Sequence, residues 1–197
     1  VPDFQARTLV EAHLFINVTL AGGAASEEVA RDHERWTTVT EGEEAWTLRF
    51  EGPPGTGSGE PIEVQVPYAS EAEAREEKSQ FGIGLSELLD PGQWQLVSAG
   101  YARRVLDEDL RFAEDPTDRE LYESVVLGWE FARDAAAEVL KFIPPGVDEV
   151  PSAAFWTEMG REAYQREPDR FTRQRLTDDI SFYQESLDTF TALYAEN

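Results

Sequence analysis

A chain of 197 residues with 41% apolar and 11% aromatic side chains can bury one ordinary domain, or a small unit joined to a helical one. Its formal net charge of −23, from 40 acidic against 17 basic groups, repels nucleic acid and anionic membrane surfaces and attracts cationic partners. The absence of cysteine excludes disulfides and thiol chemistry and fits a cytoplasmic protein, and no apolar run approaches the roughly 18 residues that a membrane-spanning helix needs.

In chain order, "TLVEAHLFINVTL" (8–20), "ERWTTVT" (34–40), "AWTLRF" (45–50) and "IEVQV" (62–66) are rich in β-branched and aromatic residues and bounded by turn formers, which predicts four strands. "EGEE" (41–44) reads as the hairpin turn between the second and third. "EGPPGTGSGE" (51–60) is glycine-rich like a phosphate-binding loop. Ser58 stands where the lysine belongs, Gly59 where the hydroxyl belongs, and a strand pattern follows instead of a helix. The segment is expected to be a loop between strands. Residues 1–68 thus read as an antiparallel β unit and 69–84, including the polar "ASEAEAREEKSQ", as an acidic exposed connector.

Residues 85–197 read as helical. Asp90 with Pro91 opens a helix through Trp94, Val97, Tyr101 and Val105, and Asp115 with Pro116 is expected to open a second, which "IPPG" ends. Ser152 is the expected N-cap of a third. The last runs from about Pro168 to Tyr194, with Leu176, Ile180, Tyr183, Leu187, Phe190 and Tyr194 forming one apolar seam. The expected fold class is α+β, a small antiparallel β unit packed on a helical bundle.

HExxH, GxSxG and the ExxH pair of carboxylate-bridged metal bundles are absent, so no catalytic residue is assigned. His13 and His33 fall in or beside predicted strands, each near a carboxylate. Such a set can hold a metal, but lone strand histidines are commonly ordinary residues, and neither a metal nor a cofactor is expected.

The segments "EAHLF", "LSELLDPGQW", "EVLKFIPPG" with "VPSAAFW", and "GREAYQREPDRFTRQRL" resemble, in that order, an uncharacterised bacterial family with an N-terminal zinc-ribbon-like β unit and a C-terminal helical region. The resemblance spans residues 10–176 and brings no enzymatic activity with it. It implies two Cys-x-x-Cys knuckles, whose places here are Ala21 with Ala24 and Pro53 with Thr56. All four thiolates that zinc would need are missing.

An acidic fold without catalytic residues points to a non-enzymatic protein-binding module. The expected partner is a cationic protein, such as a toxin or nucleic-acid-acting enzyme whose basic surface an immunity or inhibitor protein covers. The expected partner-binding residues are Glu71, Glu73, Glu76 and Glu77 in the connector and Asp178, Asp179, Glu185 and Asp188 on the outer face of the last helix. Direct nucleic-acid and membrane binding are not expected. An alternative from another class is a small-ligand or hydrolase pocket between the β unit and the helices, lined by Trp94, Trp129, Phe155 and Trp156.

Overall fold

The structure, a computed structural model, describes residues 4–23, 27–53 and 61–194. The fold is α+β, with a four-stranded mixed sheet and a helical C-terminal region. The chain divides into two compact units, Val1–Leu89 and Asp90–Asn197. Residues 69–84, expected as a connector, therefore lie within the first unit. Among the described residues no helix is long and apolar enough to cross a membrane.

In the first unit, β1 (Phe4–Gln5), β2 (Thr37–Glu41), β3 (Ala45–Phe50) and β4 (Ile62–Pro67) form a sheet in the order β1-β4-β3-β2. Strands β2, β3 and β4 are antiparallel, and the expected turn closes the first hairpin through Gly42 N–H donating to the Ala45 carbonyl at 2.9 Å. Strand β1 pairs parallel with β4, Phe4 opposite Val64 and Gln5 opposite Gln65, so the sheet is mixed where a purely antiparallel one was expected. Alternation along the strands buries Leu48, Phe50, Val64 and Val66 on a single face. Of the four positions that the resemblance assigns to knuckles, Ala21 ends a helix and Pro53 follows β3, while Ala24 and Thr56 lie outside the described residues. So do positions 54–60 of the glycine-rich loop.

The strand expected over 8–20 is a helix, α1 (Leu9–Ala21). Thr8 caps it by accepting the Glu11 N–H at 3.1 Å. The misreading has a physical cause: Ala12, Leu14, Phe15, Ile16, Val18 and Leu20 are buried around most of the helix, so no 3.6-residue stripe contrasts with a polar face. The expected strand at 34–40 also begins late. His33–Trp36 forms a 3-10 turn, preceded by α2 (Glu27–Arg31), and extended backbone starts at Thr37. The polar segment after β4 is helical, α3 (Tyr68–Glu76), with Ala74 buried.

In the second unit, α4 (Pro91–Glu114), α5 (Arg119–Lys141) and α7 (Arg173–Tyr194) are the long helices, with α5 packed on both others and the short α6 (Glu158–Arg166) packed on α4. Their core joins Val105 and Phe112 of α4, Val125, Trp129, Ala132 and Ala136 of α5, and Tyr183, Leu187 and Phe190 of α7. The seam read from the sequence of α7 is thus its buried face. Three helix starts differ from expectation. Asp118, not Asp115, caps α5, because Asp115 is still engaged in closing α4. Thr157 caps α6 while Ser152 opens only a 3-10 turn, and Pro168–Phe171 is a 3-10 turn ahead of α7.

The start of α4 matches the reading of Asp90 and Pro91 and adds a contact the sequence does not display. Asp90 and Gln93 form a reciprocal capping box, and the buried Asp90 carboxylate also accepts from Thr157 N–H at 2.8 Å and Thr157 Oγ1 at 2.7 Å. Gly92 and Gly160 let α4 and α6 touch backbone to backbone. A Cβ at Gly160 would stand 2.1 Å from both Asp90 carboxylate oxygens. Gly160→Ala is therefore expected to destabilise the second unit by about 3 kcal/mol, the upper end for overpacking, read by urea unfolding. Trp129→Ala should cost about 3–5 kcal/mol by the same measurement, as large aromatic truncations in cores do.

Candidate functional site

The eight acidic residues singled out from the sequence have different surroundings. Glu71 is mostly buried and accepts the Leu9 N–H at 2.8 Å and Arg75 Nε at 3.1 Å, so it holds the start of α1. Glu73, Glu76 and Glu77 are exposed. On α7, Asp179 pairs with Arg175 at 3.0 Å, while Asp178 and Asp188 each accept from a glutamine one turn earlier, Gln174 and Gln184. Glu185 alone of the α7 group borders a groove.

That groove, of about 350 Å³, lies where α4, α5 and α7 meet. Its walls include Leu106 and Asp109 of α4 and Phe182, Glu185 and Leu193 of α7, with the buried Trp129 of α5 among its lining. Leu106, Phe182 and Leu193 are each about half exposed or more, at 48%, 53% and 69%, and Leu110, one turn beyond Leu106, is 72% exposed. Large apolar side chains gathered on one surface mark a place where something docks more often than scattered ones do. The Trp129 indole N–H has no hydrogen-bond partner among the described residues.

Asp109 is the unusual charge in this setting. It is partly buried, has no hydrogen-bond or ion-pair partner among the described residues, and burial alone raises its carboxyl above the ordinary value. Both formally charged groups lining the groove, Asp109 and Glu185, are acidic. The surface therefore combines apolar contact area with a carboxylate that can accept hydrogen bonds from a cationic side chain.

The aromatic residues of the alternative reading are mostly core. Trp94, Trp129 and Phe155 are buried, Phe155 within an aromatic cluster with Tyr164 and Phe171, and only Trp156 is substantially exposed. Leu106, Asp109, Leu110 and Phe182 are not among the residues singled out from the sequence. The available signal was apolar residues lying off the main stripes: Leu106 and Leu110 follow one another at i, i+4 away from the Trp94, Tyr101 and Val105 line, and Phe182 adjoins the seam residue Tyr183.

The raised carboxyl of Asp109 has a pH signature. Its ionised form is disfavoured in the folded chain, so the penalty is absent below the usual carboxylate range and grows as pH rises through 3.8 toward the raised value. Asp109→Asn should accordingly melt higher than the parent at neutral pH, with the gain vanishing in acid, as followed by circular dichroism. Comparisons with protein families, with curated proteins and with solved structures found no match, so the functional reading rests on these residues alone.

Proposed function

We propose that this chain is a non-enzymatic acidic protein-binding module of the immunity or inhibitor kind, covering a basic surface of a toxin or nucleic-acid-acting enzyme. The groove between α4 and α7 is its docking site. The observation that carries this is the unpaired, partly buried Asp109 carboxylate among the exposed Leu106, Leu110, Phe182 and Leu193. An arginine or lysine of the partner would satisfy Asp109, while its aliphatic stem and neighbouring apolar side chains cover the leucines. The net charge of −23 would speed encounter, with the exposed Glu73, Glu76 and Glu77 adding to the attracting field.

A synthetic amphipathic helical peptide with leucine and arginine repeating at i, i+3 and i+4 is the probe. Calorimetry should give a 1:1 complex that weakens as salt is raised. Leu106→Ser with Leu193→Ser, both at exposed sites, should weaken it about tenfold or more, and Asp109→Asn should weaken it while reducing the salt dependence. Glu73→Gln with Glu76→Gln and Glu77→Gln should lower the association rate and leave dissociation unchanged. Binding indifferent to the groove substitutions would remove the groove from the reading, and no binding at low salt would remove the reading itself.

A further inference from the structure

His13 and His33, twenty positions apart in sequence, meet in the first unit: His13 Nδ1 lies 3.3 Å from His33 Nε2. The helix α1 carries the first, and the 3-10 turn ahead of β2 carries the second. Glu34, the next residue of that turn, is exposed and offers a carboxylate oxygen to the same place, and the three ligand atoms all lie within 4.8 Å of one another.

The arrangement around the buried His33 sets its tautomer. Its Nδ1 lies 3.1 Å from the Ala30 carbonyl, which can only accept, so the proton sits on Nδ1 and the Nε2 lone pair faces His13. The same carbonyl accepts from Asn17 Nδ2 at 2.7 Å, and Asn17 is one turn along α1 from His13. Thr37 Oγ1 donates to the His33 carbonyl at 2.9 Å and steadies the turn. The His33 imidazole is thus positioned by neighbours that leave its Nε2 directed at His13 Nδ1. Hydrogen bonding from the non-ligating nitrogen to a carbonyl is how metal-binding histidines are commonly oriented.

We propose that His13 Nδ1, His33 Nε2 and the Glu34 carboxylate form a binding site for a zinc-like divalent transition metal ion. Two nitrogens at about 2.0–2.1 Å from a tetrahedral zinc stand roughly 3.3 Å apart, the separation found between these two rings. In the metal-free chain the His13 Nδ1 proton occupies that gap as a hydrogen bond to His33. Binding requires that His13 carry its proton on Nε2 instead, which solvent exchange provides, and that the exposed Glu34 side chain close on the ion. Three protein ligands leave a position for water. Imidazole nitrogen selects zinc, cobalt or nickel over magnesium and calcium, which the many exposed carboxylates would favour. The ion would tie α1 to the turn that leads into β2. These ligands are distinct from the Ala21, Ala24, Pro53 and Thr56 positions and supply the nitrogen donors that those lack.

Purified chain stripped with a chelator is titrated with zinc chloride in the presence of millimolar magnesium, and separately with cobalt chloride. The expected result is one equivalent of zinc bound at micromolar or tighter affinity, a higher melting temperature reversed by chelator, and the intense visible bands of four-coordinate cobalt. His13→Asn and Glu34→Gln should each weaken zinc at least about tenfold and lose the cobalt spectrum. Neither is fully buried, so folding can be verified by circular dichroism in both. Zinc uptake that magnesium abolishes, or uptake equal in the folded His13→Asn chain and the parent, would assign it to the general acidic surface and overturn the site, as would the absence of saturable binding.

Discussion

The carboxylate of Asp90 is fully buried, and three hydrogen bonds converge on it: the Gln93 N–H from its own helix, and the Thr157 N–H and hydroxyl from the start of α6. A buried ionised group without such partners would cost several kilocalories per mole. Satisfied in this way, it links two helix starts that are 67 positions apart in sequence. The neighbouring geometry has no slack, because Gly92 and Gly160 occupy the space that any side chain would need. The angle at which α6 meets α4 follows from that contact, and with it the path of the chain toward the 3-10 turn and α7.

The first unit handles its buried acids by the same physics with different donors. Glu11 on α1 is almost wholly enclosed, and Arg7 supplies its backbone N–H at 2.7 Å and its guanidinium at 2.6 Å. The remaining arm of Arg7 donates to the Gly84 carbonyl, while Thr8 Oγ1 donates to the Gln80 carbonyl at 3.0 Å. Gly82, at φ +107°, comes so close to Arg7 that a Cβ would stand 2.4 Å from its side chain. Glu71 completes the anchorage by accepting the first amide of α1. In a chain carrying −23, the buried acids among the described residues are matched to arginine, to lysine as Glu138 is to Lys141, or to the unpaired amides of helix starts.

Against that pattern Asp109 stands apart: a partly buried carboxylate on a helix face, with apolar neighbours and no donor among the described residues. Stability alone gives no reason for it, and functional surfaces are where such local costs are tolerated. The histidine pair is a second departure. The two imidazoles are turned toward one another, and burial and the neighbouring His33 both lower the His13 pKa, with Glu34 opposing them, which disfavours the protonated ring. The two features lie on different units.

Much of the second unit was legible in order. The α7 seam, the Asp90–Pro91 start and the "IPPG" stop each depend on interactions within a few residues, and local chemistry decides them. Strands β3 and β4 and the turn between β2 and β3 were equally readable. The nature of α1 was not, because a helix buried on nearly all sides carries an apolar run that a strand could carry as well, and only the sheet packed beside it and the Thr8 cap decide between them. The role of Glu71 was hidden among identical-looking glutamates, since its partner amide is 62 positions away. Composition and local pattern determined an acidic α+β chain with long helices. Which carboxylates are anchors, that Asp109 is partly buried in an apolar groove, and that His13 and His33 meet were decided by tertiary structure, because each depends on groups brought together from distant positions.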